Sequence, residues 1–322
     1  MSNREDAGVV CIGGAVVDRK FHLDADASAG FAVPNGAVTS SLRSRSVHGF
    51  GGVARNVACN LHLLGHAPVL VSYAGDDLDG DALVGDLVRR GIDARFVARV
   101  AGATTAQYVA VLDARGELVF EIADMTIFER FASDDRLTSG TPAAAWVFAD
   151  ANLPAAAIAA LAARAGASSY RFAVDAVSRP RASSLPRALH GVDVLFLNEA
   201  EAAAYLGVRD AGDAAVLARA VQARGAAAVV LTRGARGAIV ATGGEVDTVA
   251  AIPAPRVVDV TGAGDALVAA TLARLLARSD PRGPVDGAAL RAAVAAGVHA
   301  AALTIASGET VIAQRASATA AS

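Results

Sequence analysis

Lysine is all but missing from this chain of 322 residues: of its 29 basic residues, only Lys20 is not an arginine. That removes several chemistries. A Walker A loop needs a lysine after its glycine run, a protein-kinase fold needs one on an early strand, and a pyridoxal enzyme needs one for its Schiff base. Lys20 follows Asp18-Arg19 and sits in none of these contexts. Cysteine is nearly as scarce, and Cys11 and Cys59 are too few for a thiolate zinc site or a disulfide framework. The polar start from Met1 to Asp6, followed by the short apolar run 9–12, lacks the core of a secretory signal, so a cytoplasmic, reduced setting is expected. Basic charge is not in excess: 29 basic against 32 acidic residues give a net charge of −3, no field to hold nucleic-acid phosphates, and no expected nucleic-acid partner. Hydrophobic residues reach 54%, yet alanine supplies much of that, and no uninterrupted apolar stretch approaches the ~18–20 residues that cross a bilayer, so no membrane partner is expected.

What is present reads as an α/β protein. The run 9–12 ends at Gly13-Gly14 and predicts a buried first strand. Residues 56–64 carry Val57, Leu61 and Leu64 at helical spacing, stop at Gly65 and lead into a strand at 69–71. A helix is expected over 83–88. The segments 108–112 and 118–122 flank Asp113-Ala114-Arg115-Gly116, a hairpin turn. Beyond about residue 140, apolar runs at 145–149, 172–174, 192–197 and 227–231 alternate with alanine-rich helical stretches, the rhythm of a parallel sheet covered on both faces. Two closing helices are expected over 262–276 and 288–303, and a frayed tail over 314–322. Two interruptions, about 15–47 and 99–125, with short alternations such as Phe21, Leu23 and Val38, Leu42, predict a small β flap inserted in a single core spanning 1–322.

The sharpest chemical signal is Val257-Val258-Asp259-Val260-Thr261-Gly262-Ala263-Gly264-Asp265-Ala266, a β-branched segment entering a glycine turn and then a helix. Consecutive backbone N–H groups at a helix start, flanked by small side chains, cradle an anion with the aid of the helix dipole. Asp265 in that first turn can take the proton of an attacking hydroxyl; the alternative is a helix merely capped by Thr261 or Asp265. Asn198-Glu199-Ala200-Glu201 follows a buried strand, and its oxygens suit waters around Mg²⁺ or, equally, a capping box. Thr232, Gly234 and Gly237 also follow a strand and let a nucleotide phosphate lie against backbone, unless they form an ordinary turn. Gly49, Gly51 and Ala54 satisfy a loose dinucleotide fingerprint without an apolar strand before it; Gly51-Gly52 and Asn56 instead suit the hydroxyls of a polar small molecule, with Asp18 as a second acceptor.

Together these pieces resemble the ribokinase-like, or PfkB, family of carbohydrate and nucleoside kinases along essentially the whole chain. The resemblance implies a three-layer α/β/α core with a mainly parallel sheet and a small β-sheet lid. It implies Asp265 as catalytic base, Gly262, Ala263 and Gly264 as anion hole, Asn198 and Glu201 supporting Mg²⁺ and phosphate, Asp259 near a monovalent cation such as K⁺, and ATP as co-substrate. Within the family, Gly51-Gly52-Val53-Ala54-Arg55-Asn56, Ala123-Asp124-Met125, Ala149-Asp150-Ala151-Asn152 and Val174-Asp175-Ala176-Val177-Ser178 look like the pseudouridine kinases. That likeness implies transfer of the ATP γ-phosphate to the 5′-hydroxyl of pseudouridine, with Asp18, Gly52 and Asn56 on the ribose and Thr105 and Asp124 toward the lid and base. Val16 departs from it, standing where those kinases carry an asparagine. Other expected acceptors are ribose, fructose, 2-keto-3-deoxygluconate or a purine nucleoside; lids of this kind pair across a homodimer. A non-catalytic sensor on the same fold would lose Asp265 or the glycine turn, and both are intact.

Overall fold

The computed structural model describes residues 7–24, 43–134, 142–167, 170–209, 212–307 and 311; the alternation expected at Val38 and Leu42, and the tail 314–322, lie outside the described residues. Two sheets organise the chain. The small one contains β2 (Val16–Leu23), β3 (Ser44–Gly51), β6 (Gln107–Leu112) and β7 (Leu118–Asp124) in the order β3-β2-β6-β7. Only the β2–β6 pairing is parallel. This is the lid. Its second insertion starts at Gln107 rather than near 99, because β5 (Val97–Val100) joins the large sheet beside β4 (Val69–Gly75).

The large sheet holds nine strands. To β4 and β5 it adds β1 (Ala7–Ile12), β8 (Ala144–Asp150), β9 (Arg171–Asp175), β10 (Val194–Asn198), β11 (Ala228–Thr232), β12 (Ala238–Thr242) and β13 (Glu245–Val249), in the order β13-β12-β11-β10-β9-β8-β1-β4-β5. From β11 to β5 the pairing is parallel; β12 and β13 close that end as an antiparallel hairpin. Alternate residues of one strand serve opposite faces, as the period of two requires. Val10 and Ile12 pack with Val147 and Ala149 in one buried cluster, whereas Val9 and Cys11 pack with Trp146 and Phe148 in the other.

Helices cover both clusters. On one face lie α1 (Val53–Leu63), α2 (Leu78–Arg89), α7 (Ala263–Leu276) and α8 (Gly287–Ser307). On the other lie α3 (Ala155–Ala167), α4 (Arg179–Ser183), α5 (Glu199–Leu206) and α6 (Ala214–Gln222). By length and composition α8 is the one helix among the described residues apolar enough to cross a membrane, with a mean hydropathy of 1.5. Its alanine-rich surface is used differently here, burying Leu290, Val294 and Val298 with Leu267 and Leu272 of α7.

Parallel pairing has one consequence for function. It brings the carboxyl ends of β8, β9, β10 and β11 to a single edge, where open α/β sheets hold their ligands. The register aligns Asp150 with Asp175 and Asn198 with Thr232 along that edge.

Candidate active site

The edge is organised from beneath by Asp150, which closes β8 and is fully buried. Its Oδ2 accepts from Gly14 N–H at 2.8 Å and Ala54 N–H at 2.9 Å, and its Oδ1 from Asn152 N–H at 3.0 Å. One carboxylate thus fixes the turn after β1 and fills the N-terminus of α1. Burial pushes Asp150 up from the ordinary carboxylate range, although these N–H groups work against the shift. The Gly51-Gly52 pair exists for the same close packing. A Cβ on Gly52, whose φ is +95°, would lie 2.3 Å from Gly14 O, and one on Gly51 would lie 2.2 Å from Asp18 Oδ2. A strand does precede this pair, but it is β3 of the lid, with an exposed outer half, and not the central strand of a dinucleotide fold.

In the first turn of α1, Asn56 reaches the site and Arg55 lies behind it. Arg55 is buried and pairs with Asp86 of α2, while its Nη1 donates to Phe50 O and to Asn56 Oδ1, each at 2.9 Å. A guanidinium only donates, so the Asn56 atom facing it is the oxygen and the other is Nδ2. That Nδ2 donates to Asp265 Oδ2 at 2.7 Å. Asn56, expected as a holder of substrate hydroxyls, therefore orients the carboxylate expected to be the base.

Asp265 occupies the first turn of α7. The cap residue Gly262 is left-handed at φ +80° and makes no side-chain cap bond; Thr261 bonds Asp259 instead, so neither Thr261 nor Asp265 caps the helix. A Cβ on Gly264 would meet nothing within 4 Å. Burial pushes Asp265 up to about 7; the Asn56 bond opposes this, and the charges of Asp150 and Asp18 add to it. Asp18 is likewise pushed up to about 6 by burial, against the pull of Lys20 and Arg55.

Gly264 and Asp265 line a cavity of about 210 Å³ with Asp175, Asn198, Glu201 and Thr232. Asn198 and Glu201 form the reciprocal capping box of α5: Asn198 Oδ1 accepts from Glu201 N–H at 2.9 Å and Glu201 Oε2 from Asn198 N–H at 2.8 Å. The cap uses Glu201 Oε2 and leaves Oε1 outside it. Burial raises Glu201 despite its bonds to Asn198. Asp175 goes well above its ordinary value through burial and the facing carboxylates of Glu201 and Asp265. These hard oxygens fit Mg²⁺. Among the described residues no three acidic, histidine or cysteine groups converge to cage a metal, so the fit is to an ion that keeps waters and phosphate oxygens as ligands.

Other expected residues stand apart. Thr105 is buried, its Oγ1 donating to Asp77 and accepting from Gly75 N–H, and it braces the turn between β4 and α2 rather than facing a substrate. Asp124 ends the exposed strand β7 and accepts from Thr126 N–H at 3.1 Å. Gly237 is required by packing, since a Cβ there would lie 2.1 Å from Val249 O, whereas Gly234 faces open space. Asp259 accepts from Lys20 Nζ at 3.1 Å; burial raises this carboxyl, but Thr261 and Lys20 outweigh it and hold it below its ordinary value. The lone lysine thus reaches from the lid strand β2 to the carboxyl expected near K⁺. Sequence reading gave no role of their own to Asp150, Asp175, Arg55 and Lys20; a carboxylate directly after each buried strand was the signal for the first two.

Strand-end carboxylates under an uncapped glycine turn, within a three-layer sheet carrying a small lid, define the ribokinase-like class. Residues 7–316 match the pfkB family of carbohydrate kinases. Pseudouridine kinase of Escherichia coli (strain K12) is 31% identical over 224 residues, 68% of this chain and 71% of that protein. The structure of a carbohydrate kinase from Agrobacterium tumefaciens superposes with a TM-score of 0.74 at 28% identity, covering 95% of this chain and 92% of that one. Ribokinase from Giardia lamblia, at 19% identity and a TM-score of 0.75 over 95% of each chain, shares the fold. The chain belongs to the pfkB family: it is a sugar or nucleoside kinase, a phosphotransferase to an alcohol group with ATP as co-substrate.

Proposed function

We propose that this kinase phosphorylates the 5′-hydroxyl of pseudouridine. The observation that carries the chemistry is Asp265, held by Asn56 at the mouth of an uncapped helix and bordering the cavity of Asp175 and Glu201. A carboxyl raised to about 7 is a competent base near neutral pH. Asp265 takes the hydroxyl proton as that oxygen bonds to the γ-phosphorus; the bond to the β–γ bridging oxygen breaks and ADP leaves. The amides of Gly262, Ala263 and Gly264 receive the charge spreading over the transferred group. Mg²⁺, when bound, neutralises phosphate charge, and Glu201, Asn198 and Asp175 are the residues to hold its waters. Thr232 and Gly234 flank the phosphates, and Asp18 with the Gly51-Gly52 backbone takes the ribose. Thr105 is left out of this set, and no K⁺ is assigned to Asp259.

The nucleoside rests on the relative at 31% identity and on the sequence phrases around Gly52, Asp124 and Asp175. Val16 argues for breadth, because it is buried opposite Gly51 and offers no hydrogen bond. The test is a Mg²⁺-ATP phosphorylation screen of pseudouridine, uridine, purine nucleosides, ribose, fructose and 2-keto-3-deoxygluconate. Pseudouridine should give the highest kcat/KM; a better acceptor elsewhere in the set replaces the substrate and keeps the kinase. The exposed apolar side chains Leu118, Phe120 and Ile122 of β7 support a homodimer paired through the lids.

A further inference from the structure

Among the described residues Arg55 is the one basic side chain enclosed by the fold, at 1% exposed. Its guanidinium is divided among three elements. Nη2 pairs with Asp86 Oδ2 of α2, and Nη1 donates both to Phe50 O, near the end of lid strand β3, and to Asn56 Oδ1 beside it on α1. Asp86 is itself fixed from the outer side by Arg90, whose Nε donates to the same oxygen at 2.9 Å. The Arg55 Nε–H is buried with no acceptor among the described residues. Taking a charge out of water and leaving one of its donors unused costs stability, and a buried ion pair is often no more stabilising than apolar side chains of similar volume. Arg55 therefore contributes something that packing does not. What it adds is a choice between two faces of one amide. Rotating an asparagine amide by half a turn exchanges its oxygen and its nitrogen with little change of shape. With the oxygen toward Asp265, a lone pair would face the carboxylate; with the nitrogen, the amide holds Oδ2 and leaves Oδ1 for an acceptor hydroxyl. A guanidinium only donates, so Arg55 admits only the second orientation. Burial is the largest influence on the Asp265 and Asp18 carboxyls and raises both; the charge of Arg55 opposes it at each.

We propose that Arg55, anchored by Asp86, is a positioning residue for phosphoryl transfer: acting through Asn56, it fixes the amide so that Asp265 presents one oxygen to the acceptor hydroxyl. It does so without touching the acceptor. The arrangement runs from Asp86 on α2 through Arg55 and Asn56 on α1 to Asp265 on α7, and the bond to Phe50 O ties it to the strand that leads into Gly51-Gly52. The inference rests on Asp265 as general base and on no particular acceptor.

The experiment is a double-mutant cycle on kcat in the full chain, with Mg²⁺-ATP and the alcohol of highest kcat/KM in the screen. Arg55→Met should lower kcat about 10²-fold, the loss a misplaced catalytic group produces, with the KM for ATP unchanged. In an Asn56→Ala background the same change should cost less than about twofold, because the residue it acts through is gone. Arg55→Lys keeps a donor for Asn56 but loses the planar fork, and should fall between the parent and Arg55→Met. Arg90→Ala removes only the outer partner of Asp86 and should leave kcat unchanged. If Arg55→Met does not fold, Arg55→Lys carries the cycle. A reading that needs no turnover comes from NMR of selectively labelled asparagine side chains, assigned through Asn56→Ala: the Asn56 amide protons should exchange faster with solvent in the Arg55 variants. Equal losses in the two backgrounds, full kcat in Arg55→Met, a loss confined to KM, or unchanged amide exchange each overturn the positioning role. Equal losses together with an inactive Asp265→Asn remove Arg55 alone and keep the base; normal turnover in Asp265→Asn removes the base and this role with it.

Discussion

Two helices direct their N-termini at one cavity, and the protein closes only one of them. At α1 the carboxylate of Asp150 sits under the first turn and accepts from Ala54 and Gly14. At α7 the glycine cap makes no side-chain bond, a Cβ on Gly264 would meet open space, and the nearby carboxylate of Asp265 is turned aside to Asn56. The same positive end of a helix is filled by the chain's own carboxylate in the first case and left without a side-chain cap in the second. What distinguishes them is whether the anion is supplied by the chain. Both glycine-rich turns, Gly51-Gly52 and Gly262 to Gly264, look alike as sequence.

That contrast can be broken most directly at the two carboxylates. Asp265→Asn should lower turnover by at least ~10²–10⁴-fold, the usual loss for a general base, while ATP binding holds and the fold is not weakened. A continuous ADP-release assay reads the first and calorimetry the second; normal turnover would remove Asp265 from the mechanism. Asp150→Ala should do the reverse in kind. It strands three backbone donors, and with about 1–3 kcal/mol for each buried unsatisfied group the loss should reach about 3 kcal/mol in urea denaturation before any substrate is added. If Asp150→Ala were as stable as the parent, the distinction between a filled and an open helix start would collapse.

The smallest effect is on pH dependence. Since Asp265 must be ionised to act and is raised to about 7, kcat/KM of the free enzyme should climb with pH through that value, and Asp265→Asn should lose the inflection. Stability runs the other way. A carboxyl whose folded pKa lies above its ordinary 3.8 favours the folded state below that value, and the contribution fades as pH rises toward about 7. Asp265→Asn should flatten that part of the stability profile.

Much of the site was legible because it is local. Glycine, small residue, glycine and acid fall within one turn at 262–265, and Asn198 and Glu201 are three apart, the spacing of a reciprocal cap. Thr105 misled for the opposite reason: its partners Asp77 and Gly75 are close in space but about thirty positions back, and nothing around it in sequence announces them. Lys20 was conspicuous by its isolation, yet its partner Asp259 lies 239 positions away. Asn56 was expected to hold substrate hydroxyls; that its amide bonds Asp265 depends on Arg55 fixing the orientation of that amide.

The amino-acid order by itself determined the layered α/β fold, through buried runs at strand length alternating with helical stretches, and it determined the glycine turn that opens α7, because a turn of that kind needs only neighbours in the chain. Tertiary structure alone decided which carboxylates became scaffold and which stayed available. That choice depends on desolvation and on donors brought from 96 and 136 positions away to Asp150, and no pattern of adjacent residues encodes it.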